Sequence, residues 1–364
     1  MASFRSNPFR LQLTELEESP ICQGHAPQAV ASLWKGKTLV ACGSLWWDNP
    51  HPQPLSPLGE GGQKNPQSPS PDMGEGSRVR AKIQALPRVG RLGKLDSTAP
   101  EAAVAFLDQV CEVLRQKGCD VALGPMDGNT WQSYRCALNW ENGPPFWGEP
   151  QTDPRWADWF THAGFAPVAK YESRLCLDLT QTYLPRRRRQ TPASVQIQSA
   201  QGVAVEALLP KIHALVMASF RRQPFFQSLP EDGFTQYLQP LISQVDPALI
   251  QLAWDQDRLV GVGLALPDRL TMDVRRLIIK TLAIGPNRAY AGLGAPLLEA
   301  AHHAGFQQGY RQAIHALMHD QNPSLNLSHR YSQPFRDYVL MGKNLSEPIK
   351  NPAVQSWVEG KGWI

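Results

Sequence analysis

The sequence predicts an α+β protein of two tandem units, each a mixed, mostly antiparallel sheet flanked by helices. Three observations carry this expectation. The length of 364 residues suits two domains better than a single core. A polar, proline-bounded run, Leu184-Pro185-Arg186-Arg187-Arg188-Arg189-Gln190-Thr191-Pro192, divides the chain near its middle. On both sides of it the elements come in one order, a strand hairpin, a third strand, a glycine turn, a helix and another strand. The expected division is 1–183, a basic linker at 184–194, a second unit at 195–346 and a tail at 347–364.

In the first unit, Thr38-Leu39-Val40-Ala41-Cys42-Gly43-Ser44-Leu45-Trp46-Trp47 reads as a strand that stops at Asp48-Asn49-Pro50. Residues 49–77 are dominated by Pro, Gly, Ser and Gln, with Leu55, Leu58 and Met73 as the only large aliphatic or sulfur side chains. So little apolar surface does not offset the entropy of ordering, and the segment reads as a disordered hairpin insertion. A strand is expected at 79–86, then a glycine turn at Val89-Gly90-Arg91-Leu92-Gly93. Thr98 and Glu101 at capping-box spacing, with Pro100 in the first turn, start a helix. Val104, Leu107, Cys111 and Leu114 recur along it, and Gly118 ends it. The next strand is 119–123, turning at Gly124-Pro125-Met126. Trp131, Trp140, Trp147, Trp156 and Trp159 then crowd one stretch, as core packing or as an aromatic pocket.

The second unit opens with an amphipathic helix over 203–220. Strands at 250–254 and 259–266 form a hairpin about Asp255-Gln256-Asp257, and a further strand covers Arg276 to Ile284. A glycine turn, a helix over 295–305, a strand over 312–318 and a closing strand over 336–345 complete it.

Composition narrows the function. Apolar residues at 42% and charged ones at 19% are ordinary for a chain that buries a core. A net charge of +4 gives no global basic field, so nucleic acid is an unlikely partner. The four arginines of the linker read as a solvated run. Six scattered cysteines without CxxC pairing read as reduced thiols, and no metal site is expected. No apolar run is long enough to span a membrane, and residues 1–12 lack the core of a secretory signal, so a cytoplasmic protein is expected.

The chemistry concentrates at Leu282-Ala283-Ile284-Gly285-Pro286-Asn287-Arg288-Ala289-Tyr290-Ala291-Gly292-Leu293-Gly294-Ala295-Pro296-Leu297-Leu298. A strand leads into a glycine loop that opens a helix, so backbone N–H groups converge on one concavity fit for an anion. Gly292 and Gly294 let that backbone approach a diphosphate with no Cβ between. A Rossmann loop would need a third glycine where Leu297 stands, and a Walker loop would need Gly-Lys-Ser or Gly-Lys-Thr.

This segment resembles motif A of the GNAT (GCN5-related N-acetyltransferase) superfamily: strand, turn, Arg or Gln, two residues, Gly, one residue, Gly or Ala, then a leucine pair. Ala289 stands at the Arg or Gln place and Arg288 one residue early, which leaves the diphosphate to backbone amides. The resemblance covers about residues 197–345 and includes Asn322 before Pro323. It implies acetyl-CoA as acyl donor, held by Leu282, Ala283, Ile284, Arg288, Ala289, Gly292, Leu293, Gly294, Ala295 and Asn322. It also implies a small-molecule or peptide amine as acceptor and an oxyanion-binding amide at Ala283 or Ile284. The general acid falls to Tyr331 or His329, the base to His315, His319 or water, and His302 and His303 read as structural. The alternative is an inactive acyl-CoA-binding module of the same fold. The first half looks like a worn copy, in which Asp96 and a Thr98 cap compete with a diphosphate for the helix amides.

Overall fold

In the computed structural model, which describes residues 8–16, 26–48, 87–183, 192–271 and 273–346, strands of both halves join one continuous thirteen-stranded sheet. The first half contributes β1 (Phe9–Glu15), β2 (Ala29–Lys35), β3 (Thr38–Trp47), β4 (Val89–Ser97), α1 (Pro100–Gln116), β5 (Val121–Gly124), β6 (Cys136–Ala137), α2 (Trp156–His162) and β7 (Ala166–Cys176). The second contributes β8 (Val195–Ser199), α3 (Leu209–Phe220), α4 (Glu231–Ile242), β9 (Ile250–Asp255), β10 (Arg258–Pro267), β11 (Arg276–Ile284), α5 (Gly294–Gln307), β12 (Gln312–His319), α6 (Pro323–Ser328) and β13 (Gln333–Asn344). The expected insertion at 49–77, the strand at 79–86, the arginine run and the tail lie outside the described residues.

The sheet runs β1-β2-β3-β4-β5-β13-β7-β12-β11-β10-β9-β8, with β6 against β13. Only β4–β5 and β11–β12 pair in parallel, and each of these pairs is joined through a helix, α1 or α5, as a parallel crossover requires. The fold is thus α+β, with the same unit in both halves. The ends of the units are exchanged: β7 of the first half pairs with β12, and β13 of the second pairs with β5. Each half supplies a strand that the other's sheet needs.

Three local expectations are corrected. Residues 89–93, expected as a glycine turn, are the start of β4, because both glycines are close approaches. A Cβ on Gly90 would meet Leu114 of α1 at 2.6 Å, and one on Gly93 would meet Asp127 Oδ1 at 2.2 Å. The capping box does not form: Ala99 is the N-cap without a side-chain bond, while the Thr98 hydroxyl donates to the Val40 carbonyl. The helix expected from 203 begins at Leu209, where Pro210 fits the first turn, after a short 3-10 turn at Val205–Leu208.

The strong apolar signals behave as read. Helix α1 buries Phe106, Leu107, Val110, Cys111 and Leu114 against the first half of the sheet. Trp156 and Trp159 pack with Phe160 in that core. Five cysteines, Cys42, Cys111, Cys119, Cys136 and Cys176, are free thiols. Burial pushes the Cys111 and Cys136 thiols up to about 12, out of reach of thiolate chemistry near neutrality.

Candidate functional site

Strands β11 and β12 begin as a parallel pair and then part. Their register runs from Arg276–Gln312 to Ile279–His315 and stops there. Both strands carry an irregularity at the parting. Against β10 the register steps between Thr281 and Ile279, leaving Lys280 as the extra residue. Against β7, β12 gains one residue between His315 and Met318, and Leu317 adopts a left-handed φ of 58°. Such bulges bend a strand and end its pairing. The opening between the strands is a cleft of about 510 Å³.

The amides along β11 differ in availability. Gly285 N–H donates to Val260 O, so by antiparallel alternation Ala283 N–H also faces β10 and is used in the ladder. Ile284 N–H faces the other way and donates to Ser219 Oγ of α3 at 3.1 Å. Leu282, two residues before Ile284, presents its N–H on that same edge, and it lines the cleft. The Ala283 and Ile284 amides, from which an oxyanion donor is expected, are thus already bonded, and Leu282 N–H is the next amide on the edge that faces the cleft.

Beyond β11 the chain makes a short turn at Arg288–Tyr290, capped by Asn287, whose side chain accepts the Ala289 N–H at 2.9 Å. The Ala289 amide is thus engaged internally, and Arg288 is exposed. Tyr290 anchors the turn through its hydroxyl, 2.8 Å from Asp255. Gly292 has a φ of 100°, a conformation that a side chain disfavours. Helix α5 follows with Leu293 at its N-cap, no side-chain cap and no acidic residue in its first turn. The Gly292 and Gly294 amides have no acceptor among the described residues, whereas Ala295 N–H leans on Gly292 O at 3.3 Å. An uncapped terminus with open amides and the positive end of the helix dipole fits a diphosphate. Leu293 itself is buried in the core, so its role is packing.

At the facing corner Asn322 caps α6, accepting Ser324 N–H at 2.9 Å, and Asn322, Ser324 and Leu327 line the cleft. Neither expected acid is among its lining residues. Helix α6 ends at Ser328, and Tyr331 is buried with its hydroxyl 3.5 Å from Glu299 of α5. His329, at the C-cap, is half exposed and lies 3.8 Å from Glu172.

His319, at the end of β12, does line the cleft. Its Nδ1 is 3.2 Å from both Gln321 N–H and Asp320 Oδ1, and Nε2 has no partner among the described residues. Burial, and beyond it the charge of Arg135, hold this imidazole below its ordinary pKa of 6.5 against the opposite pull of Asp320. It is neutral at pH 7. Tyr134, Arg135, Glu149 and Tyr171 from the first half line the same end, with the Arg135 guanidinium stacked 3.7 Å from the Tyr134 ring and 3.8 Å from the Tyr171 ring.

His315 lines the cleft but turns inward. Its Nε2 lies 3.0 Å from His302 Nε2, and its Nδ1 lies 2.6 Å from Ser328 Oγ. Ser328 continues to Ser332, which accepts from Arg174. Both ring nitrogens of His315 are engaged, so direct base catalysis does not suit it. Burial pushes His302 down to about 3, and pushes His315 well below 6.5 with help from the charges of His302 and Arg174. A histidine whose folded pKa is lowered takes up protons preferentially when unfolded, so its stabilisation is present above about pH 6.5 and is lost as pH falls. His302 alone predicts a loss of about 2 kcal/mol between pH 7 and 5. Urea unfolding at the two pH values checks it, and His302→Gln should show a smaller difference.

The equivalent gap in the first half is closed. After β4 and β5 part at Arg91–Leu123, Met126 N–H donates to Leu92 O at 2.7 Å, and Asp127 accepts Lys94 N–H. The loop 124–127 fills the space that stays open in the second half.

Among the described residues no group of three or more His, Cys, Asp or Glu is placed to hold a metal, and no helix is long and apolar enough to cross a membrane. No family model matches the chain, and no curated protein matches it. Solved structures do. The chain is similar to a GCN5-related N-acetyltransferase from Sphaerobacter thermophilus, with a TM-score of 0.46 and 10% identity over 88% of this chain and 82% of that one. A tandem GNAT protein from the clavulanic acid biosynthesis pathway gives 0.46 and 12% over 89% and 86%. A GCN5-related N-acetyltransferase from Anabaena variabilis gives 0.49 and 11% over 93% and 73%. At such scores and identities none of these likenesses assigns a role to a residue of this chain.

Proposed function

We propose that the protein is an acyl-CoA-dependent N-acyltransferase of the GNAT type, with acetyl-CoA as its simplest donor and a small-molecule or peptide amine as acceptor. The observation that carries this reading is the uncapped start of α5, with the open amides of Gly292 and Gly294, at the parting of β11 and β12. In this reading residues 195–346 are the catalytic unit, and the first half walls the acceptor side through Tyr134 and Arg135.

The reaction joins the acceptor nitrogen to the thioester carbonyl carbon and breaks the bond from that carbon to sulfur. The amine loses one proton and the thiolate gains one, so the balance is neutral. Leu282 N–H stabilises charge developing on the carbonyl oxygen. His319 takes the amine proton at Nε2 in the tautomer whose ring proton sits on Nδ1 and is donated to Asp320 Oδ1. No cleft-lining group stands out as the acid, and water returns the proton to the thiolate. Tyr331 and His329 then contribute to packing and to the surface rather than to chemistry.

Release of free CoA from acetyl-CoA across a panel of amines tests the reading. His319→Ala is expected to lower kcat by about ten- to a thousand-fold with acetyl-CoA affinity nearly unchanged. In the parent protein kcat/KM should rise with pH to a plateau whose midpoint lies below 6.5. Tight acetyl-CoA binding with no amine-dependent CoA release would instead favour a binding module.

A further inference from the structure

The cleft has two chemically different ends. One is polar and is built by Tyr134, Arg135 and His319. The other runs under α3 and α4 against the sheet, where Ile212, Val216, Leu238, Ile242, Ile250 and Val262 line it. Each of these six side chains is apolar and no more than 8% exposed. They belong to the main core cluster, so the cavity reaches into the interior of the second half. Trp131 packs on the α4 side, within 6 Å of Phe226, Phe234 and Tyr237.

An amine acceptor needs hydrogen-bond partners and a base, which only the polar end supplies. The apolar limb offers nothing to an ammonium group or an amine. The whole cleft, at about 510 Å³, is also far larger than the methyl of an acetyl group requires, and an apolar cavity left empty costs stability in proportion to its volume. The limb is continuous with Leu282 and Ile279 at the strand parting, where the thioester carbonyl is expected to sit.

We infer that this limb receives the hydrocarbon chain of a medium- or long-chain acyl-CoA, so that the group transferred is a fatty acyl group rather than acetyl. The inference rests on the acyltransferase reading above. The carbonyl stays at the parting beside Leu282, the CoA portion extends toward the start of α5, and the chain turns inward between α3, α4 and β9–β10. Bond making and breaking are those already given, with the fatty acyl group in place of acetyl.

Titration calorimetry with CoA, acetyl-CoA, butyryl-CoA and octanoyl-CoA tests this. Each methylene buried is worth about four-fold in affinity, so octanoyl-CoA should bind on the order of a hundred-fold or more tighter than acetyl-CoA after ordering costs. Val216→Trp fills the limb and should bring the octanoyl to acetyl affinity ratio near one. Ile242→Phe, deeper in the limb, serves the same purpose if the tryptophan variant misfolds. Equal affinity for all acyl-CoAs in the parent would overturn the fatty acyl inference while leaving the acyltransferase reading intact. Failure of every CoA compound to bind would overturn both, and a ratio unchanged by both filling variants would remove the chain from this limb.

Discussion

Replacing Gly292 by glutamate is expected to abolish acetyl-CoA binding. Two effects add at this position. The φ of 100° strains any side chain, and the new carboxylate would stand where the loop amides meet a diphosphate. Two like charges about 4 Å apart repel by about 4 kcal/mol at an effective dielectric constant near 20, which is roughly a thousand-fold in affinity. Gly292→Ala separates the two effects, since it carries the backbone strain without the charge. Calorimetry should rank the parent first, alanine second and glutamate last, and the gap between the two variants should narrow with added salt. Equal affinity in alanine and glutamate variants would mean that no phosphate approaches this loop.

The second large effect is expected at the junction of the halves. Arg336 of β13 and Glu149 of the first half form an ion pair at 3.0 Å whose side chains are both fully buried. The rest of the guanidinium donates to the Asn139 and Gly143 carbonyls, and Tyr338 donates its hydroxyl to the same Glu149 oxygen. Removing one member of such a pair leaves a charge buried without its partner, at a cost of about 3–5 kcal/mol. Glu149→Ala should therefore lower the urea midpoint strongly, with both halves unfolding together. Pairing Glu149→Leu with Arg336→Met should recover most of the loss, since neither charge then remains. If Glu149→Ala unfolded at the parent's urea concentration, the network would not be what holds the exchanged strand.

Much of the second half was legible in the sequence because its signals are local. The strand Arg276–Ile284 and the turn at Gln256 follow from alternating or continuous apolar runs and from turn chemistry a few residues long. The glycine turn before α5 was legible for the same reason, since glycine spacing before a helix reports on its own backbone. Helix α4 was missed although Phe234, Leu238 and Ile242 recur every fourth residue, because Gly233 and Pro240 inside it read as breakers. Strand β1 was missed because a short edge strand of alternating residues carries a weak signal.

The sequence by itself determined the elements whose apolar pattern is local and unbroken, such as α1, β10 and β11, and the glycine loop that leads into α5. Only the tertiary structure decided which strands pair, and so that β7 and β13 are exchanged between the halves. It also decided which β11 amide stays open, since Ser219 comes from 65 residues away to occupy Ile284 N–H. His329 and Tyr331 illustrate the same limit: helical spacing from Asn322 points to His329, with Tyr331 reaching that corner only beyond a short helix, and although α6 does end at Ser328 the Tyr331 hydroxyl lies 3.5 Å from Glu299. Periodicity reports the face on which a side chain lies. Its partner depends on contacts distant in the chain, and a cleft is a volume that several such contacts leave unfilled.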